Sequence, residues 1–174
     1  FSASINFSEV VTGFDVNDIV VGNAALSGFS GAGSDYSVTV TPGVEGTVTL
    51  DVAENVATDN ANNGNLASSQ LRIEYDVTLP TVVITAPSAT QTSSFSISVA
   101  FSEIVSGFDI GDVNATNAVL SNFTDNGSGS YSIDVTPSSD GIVLIDVLAG
   151  VASDAAGNNN TAAEQKSVSF DGSR

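Results

Sequence analysis

The sequence predicts an all-β chain of two tandem β-sandwich domains, the first lacking its opening strand. Three observations carry that prediction. Nearly the whole chain repeats itself once, short runs alternate apolar and polar residues with a period of two, and no stretch carries a helical apolar stripe.

The repeat sets the organisation. Phe7-Ser8-Glu9 recurs as Phe101-Ser102-Glu103, an offset of 94, which also carries Gly13-Phe14-Asp15 onto Gly107-Phe108-Asp109, Asp18 onto Asp112 and Leu26-Ser27 onto Leu120-Ser121. One inserted residue in the Gly/Ser-rich stretch near 125–130 moves the offset to 95. Beyond it Tyr36-Ser37 matches Tyr131-Ser132, Val40-Thr41-Pro42 matches Val135-Thr136-Pro137, and Asp51-Val52 matches Asp146-Val147. Val56-Ala57 with Asp59 then matches Val151-Ala152 with Asp154, and Tyr75-Asp76 matches Phe170-Asp171. The expected division is a first repeat over 1–76, a linker over 77–80 and a second repeat over 81–174.

The elements follow in order. Phe1, Ala3, Ile5 and Phe7 alternate with polar neighbours, as a half-buried strand does, and Leu71, Ile73 and Tyr75 form the last strand of the first copy. After Pro80, Thr81–Thr85 reads as an opening strand with no counterpart in copy one, because Phe1 aligns with Phe95. Phe95, Ile97, Val99 and Phe101 alternate with Ser96, Ser98 and Ala100; Tyr131, Ile133 and Val135 form another run, closed by Pro137. Val143, Ile145 and Val147 make a third, and Val168 and Phe170 the last. Asn126-Gly127, Asp140-Gly141 and Ala156-Gly157-Asn158 are the expected turns. A sandwich missing its first strand leaves a sheet edge unpaired. Either the fragment is cut from a longer array, or another chain donates the strand.

Composition narrows the function. Hydrophobic residues are 41% of 174, enough for packed cores built of Val, Ile, Leu, Ala and Phe. Asp and Glu number 20 against three cations, Arg72, Lys166 and Arg174, for a net charge of -17. Such a surface repels phosphates, which argues against a nucleic-acid partner and an anionic membrane face. No apolar run reaches the roughly 18 residues that would suggest insertion in a membrane, and no signal peptide opens the chain. With no Cys and no His, disulfides, thiolate or imidazole metal sites and the usual catalytic triads are out of reach. Paired carboxylates can hydrolyse glycosides, but only the acid count points that way and no Trp offers a sugar platform. The chain is expected not to be an enzyme. The acidity reads either as a solvated, self-repelling surface or as carboxylates that bind a divalent cation.

The string Phe-Ser-Glu-x-Val-x-Gly-Phe-Asp-x-x-Asp, then Leu-Ser-x-Phe, Val-Thr-Pro, Asp-Gly and Val-Ala-Ser-Asp-Ala-Ala-Gly-Asn, resembles the bacterial Ig-like repeats of large surface adhesins. Tyr75-Asp76-Val77-Thr78-Leu79-Pro80-Thr81 is similar to the short linker between such repeats. The resemblance implies two tandem immunoglobulin-like β-sandwich domains, extender modules of secreted or outer-surface bacterial proteins, with Ca²⁺ near the domain junctions. Copy one departs by lacking the opening strand and by reading Asp59-Asn60-Ala61-Asn62-Asn63 where copy two has Asp154-Ala155-Ala156-Gly157-Asn158.

In an Ig-like strand order, Asp76, Glu103, Asp109, Asp154 and Asn158 could converge at the linker end of copy two. They would offer hard oxygen donors to a Ca²⁺ ion, which takes roughly 6–8 of them. Glu9, Asp15, Asp59 and Asn63 are the equivalents in copy one. The competing reading makes Asp and Asn turn formers that bond nearby backbone amides. An EF-hand over Asp59–Gly64 is rejected, because Ala61 fills its third position and Gln70 its twelfth.

The expectation is a spacer in a bacterial cell-surface adhesin, extracellular, stiffened by Ca²⁺ and partnered by neighbouring Ig-like repeats of the same chain. The alternatives are a glycan- or protein-binding module using the Thr-bearing runs 37–41 and 47–49, or a filament subunit joined to other copies by donated strands.

Overall fold

The computed structural model describes residues 1–173; Arg174, the last residue of the expected second repeat, lies outside the described residues. The chain separates into two units, Phe1–Asp76 and Val77–Arg174. No α-helix occurs among the described residues, and so none is long and apolar enough to cross a membrane.

Unit 1 runs β1 (Ser2–Asn6), β2 (Ile19–Gly22), β3 (Ala24–Ala32), β4 (Asp35–Pro42), β5 (Gly46–Val52) and β6 (Leu71–Tyr75). Its two sheets have the orders β1-β4-β3 and β2-β5-β6, all antiparallel. Unit 2 runs β7 (Val82–Thr85), β8 (Phe95–Phe101), β9 (Val113–Thr116), β10 (Ala118–Gly127), β11 (Ser130–Pro137), β12 (Gly141–Val147) and β13 (Lys166–Phe170). Its sheets have the orders β10-β11-β8-β7 and β13-β12-β9. β7 is the strand that unit 1 lacks. Each unit is an all-β, immunoglobulin-like sandwich.

The sequence period becomes a burial period. β8 buries Phe95, Ile97, Val99 and Phe101 while Ser96 and Ala100 face solvent, and β11 buries Tyr131, Ile133 and Val135. From the other sheet Val143, Ile145, Val147 and Val168 meet them in one core. Unit 1 repeats the arrangement with Val38, Val40, Val48, Leu50 and Val52. An aromatic cluster closes one end of each core. Phe101 and Phe108 meet edge to face at 5.0 Å, with Tyr131 4.9 Å from Phe108. Phe7, Phe14 and Tyr36 do the same in unit 1. Edge-to-face contact suits the ring quadrupoles. The Phe-Ser-Glu and Gly-Phe-Asp motifs therefore recur together because their rings pack on each other.

Strands β2, β3, β9 and β10 carry no plain alternation in the sequence. The pairing of β3 and β10 is interrupted, between Ser27 and Ser30 in one and between Ser121 and Thr124 in the other. A bulge shifts which face a side chain takes, so the period-2 pattern is lost. A second irregularity, between Asp125 and Gly127, occurs in β10 alone and absorbs the residue by which the copies differ in length. Asn126-Gly127, expected as a turn, lies at the end of β10 instead. The reversal is made by Ser128 and Gly129, with φ of 54° and 73°. Two positive φ values in a two-residue loop match the right-handed twist of the flanking strands.

Candidate metal centre

Asp154 sits in the loop between β12 and β13, and the sequence folds that loop on a single asparagine. Asn160 is 2% exposed. Its Oδ1 accepts from the Val151 and Ala152 amides, both at 2.9 Å, and its Nδ2 donates to the Leu148 and Thr161 carbonyls at 2.9 and 2.8 Å. All four bonding positions of the side-chain amide are used, which makes a buried polar group tolerable. Within the loop, Asp154 Oδ1 accepts from the Asn158 amide at 2.8 Å, and Oδ2 accepts from Asn158 Nδ2 at 2.9 Å. Burial pushes the Asp154 carboxyl upward in pKa. The hydrogen bonds from Asn158, first by its side chain and then by its backbone, with those from Ala156 and Gly157, outweigh that and hold it below the usual 3.8. Asp154 is therefore buried and charged.

Glu103 follows β8, and Asp76 immediately precedes Val77. One carboxylate oxygen from each of Asp76, Glu103 and Asp154 lies within 4.8 Å of the others. Asp76 and Glu103 are partly buried, Asp154 fully. An ion at Asp154 would share its carboxylate oxygens with the hydrogen bonds from Asn158, Ala156 and Gly157. Three carboxylates this close form a group of hard oxygen donors that could hold a divalent cation.

Of the other expected ligands, Asn158 lies against Asp154, and Asp109 is outside the group of three. Asp109 accepts from the Gly111 amide at 2.6 Å and caps the short 3-10 turn Ile110–Asp112, while Asp112 bonds back to the Asp109 amide at 2.8 Å. That reciprocal arrangement is a capping box, and it accounts for the spacing Asp-x-x-Asp. Asn158 supports Asp154. Asp15 caps the turn Val16–Asp18 in the same way as Asp109.

In unit 1, Asp59 accepts from the Ala61 and Asn63 amides and from Asn63 Nδ2 at 2.7 to 2.8 Å. The Asn63 side chain, then its backbone, lower the Asp59 pKa below 3.8. Glu9, Asp59 and Asn63 line one open groove of about 310 Å³. The Thr-bearing runs 37–41 and 47–49 belong to β4 and β5, which lie in different sheets and so do not join into one flat patch.

Asn65 and Asn160 are the residues that sequence reasoning overlooked. Asn65 makes the same four bonds, to the Val56 and Ala57 amides and the Ala53 and Leu66 carbonyls. Their signal was present, since 160 minus 95 is 65 and both are Asn.

Similar proteins bear on the fold and the family. No curated protein matches the chain. Among solved structures, InvD of Yersinia pseudotuberculosis is similar at 15% identity and a TM-score of 0.37, over 98% of this chain and 52% of that one. FdeC, an Escherichia coli adhesin, is similar at 14% identity and a TM-score of 0.39, over 97% of this chain and 53% of that one. The chain thus spans about half the length of either. The family rests on a different finding, a family model described as a bacterial Ig-like domain, which matches residues 1–75 and again residues 76–170. Its second segment contains Asp76, Glu103 and Asp154 together. The chain belongs to the bacterial Ig-like domain family, of which it carries two consecutive members.

Proposed function

We propose that the chain is a spacer of a bacterial surface adhesin, in which Ca²⁺ held by Asp76, Glu103 and Asp154 stiffens the passage from one Ig-like repeat to the next. The single observation that supports this is the close approach of those three carboxylates. Asp76 is the residue just before Val77, and the others belong to two loops of the second repeat. An ion bound by all three would tie the connection to the repeat that follows, and Pro80 already confines Leu79 to extended geometry. The donor set is all oxygen, which suits Ca²⁺ better than softer metals. Backbone carbonyls and water would complete the shell. The role is mechanical and extracellular rather than catalytic: it holds a binding domain away from the cell, with neighbouring repeats of the same chain as its partners. Glu9, Asp59 and Asn63 would serve the equivalent site of the first repeat. Small-angle scattering with and without chelator tests this reading. A narrower, more extended distance distribution in Ca²⁺ is expected, and identical curves in both conditions would contradict it.

A further inference from the structure

Two asparagines of the chain are followed by glycine, Asn63 in unit 1 and Asn126 in unit 2. Both are exposed, so access of water does not separate them. They differ in how the surrounding chain holds them.

Asn63 is held on several sides. Its Nδ2 donates to Asp59 Oδ2 at 2.8 Å, its amide donates to Asp59 Oδ1 at 2.8 Å, and its carbonyl accepts from the Asp59 amide at 3.0 Å. The glycine after it is fixed as well. Gly64 bridges to Thr58, and a Cβ placed on it would run into Asn55.

Asn126 is in the opposite situation. It lies at the second irregularity of β10, between Asp125, which pairs with Tyr131, and Gly127, which pairs with Ser130. A residue at such a point is left out of the ladder. Its Nδ2 reaches Ser132 Oγ at 3.4 Å, a long and weak contact. Gly127 has a φ of 83°, Ser128 and Gly129 follow it with positive φ, and a Cβ placed on Gly127 would meet nothing within 4 Å. The Gly127 amide donates to Asp125 Oδ1 at 2.8 Å, a bond between exposed residues that water can replace. Such hairpin ends open at far less cost than the paired strands behind them.

We propose that Asn126 is a site of intramolecular deamidation, and that the fold protects Asn63 from the same reaction. The Gly127 nitrogen attacks Cγ of Asn126 and forms a C–N bond, closing a succinimide ring. The side-chain nitrogen leaves as ammonia, carrying the proton that the Gly127 nitrogen gives up. Glycine favours the attack because it has no Cβ to crowd the ring. Water then opens the ring at either carbonyl and yields aspartate or isoaspartate. Water is consumed, ammonia is released, and nothing is oxidised or reduced. The product places a new negative charge beside Asp125. In its isoaspartyl form it also lengthens the main chain, at a point where the pairing is already broken. The same reaction at Asn63 would have to pull Nδ2 away from Asp59 and move Gly64 against Asn55.

The experiment incubates the whole chain in mildly alkaline buffer, folded and in urea. Peptide mass mapping follows both asparagines, and isoaspartate-specific enzymatic methylation detects the product. The chain in urea gives the intrinsic rate of each site. In the folded chain Asn126 should convert at least about tenfold faster than Asn63, a barrier difference of about 1.4 kcal/mol. N126Q should lose the isoaspartate signal, and D59A should speed conversion of Asn63. A smaller folded-state ratio would overturn the proposal, as would an Asn126 that stays intact while the chain in urea converts. An Asn63 as slow in D59A as in the unaltered chain would overturn the protection assigned to Asp59.

Discussion

The two repeats share their motifs, yet they treat the same residues differently. Val99 and Phe101 lie deep in unit 2, whereas Ile5 and Phe7, at the same places in unit 1, remain partly open. Asn160 is buried while Asn65, with the same four hydrogen bonds, is only half covered. One carboxylate oxygen each of Asp76, Glu103 and Asp154 comes within 4.8 Å of the others, and Glu9 and Asp59 stand in unit 1 at the places of Glu103 and Asp154. In unit 2 the segment 76–85 carries β7. It covers the edge of β8 and brings Asp76 to Glu103 and Asp154. Where β7 lies along β8, Val99 and Phe101 are buried.

The comparison can be broken at its source. Ile84→Ala removes a side chain that is 1% exposed, and is expected to cost unit 2 about 2–5 kcal/mol. Amide exchange along Ile97–Phe101 should then rise toward the rates of β1. A loss confined to β7, with β8 as protected as before, would show that the strand does not set the burial. The next effect in size comes from the loop asparagines. Asn160→Ala strands several buried backbone groups, each worth about 1–3 kcal/mol, and should cost roughly 2–4 kcal/mol in chemical denaturation. Asn65→Ala should cost less, because water reaches the groups it leaves. Equal losses would deny the difference between the two loops.

Acid should produce the smallest change. Asp59 and Asp154 both have folded-state pKa values lowered from 3.8 by their Asn partners, with burial opposing. A lowered carboxylate pKa adds stability that is complete above the unfolded value and disappears as pH falls through the folded one. Both loops should therefore hold at pH 5 and loosen only below about pH 4. Side-chain shifts of Asn63 and Asn158, followed by NMR, report the transition. Loosening already at pH 5 to 6 would contradict these assignments.

The architecture was legible in the sequence wherever one face of a strand is buried. Phe95, Ile97, Val99 and Phe101 spell out β8 because each meets the core. β10 was silent because its pairing is broken twice and much of its length faces solvent. The repeat offset revealed the tandem plan directly, down to the single residue that β10 takes up as an irregularity. The site was partly legible. Strand direction brings Glu103 and the Asp154 loop to one end of the sandwich, and the structure places them together with Asp76. Asp109 and Asp15 were drawn into the same expectation by proximity in sequence, yet each is engaged by its own turn. Asn160 escaped notice because an asparagine in a polar loop looks ordinary until its four bonds are counted.

The account turns most on whether an ion binds the three carboxylates. Calorimetric titration of chelator-stripped chain with Ca²⁺ tests that directly, with a chain carrying D76N and E103Q alongside. The account predicts heat of binding and a Tm for unit 2 that climbs with Ca²⁺, by an amount equivalent to about 2.7 kcal/mol at a hundredfold excess over Kd. Both should be absent in the variant. No heat and an unmoved Tm in the unaltered chain, or the same response from the variant, would contradict it.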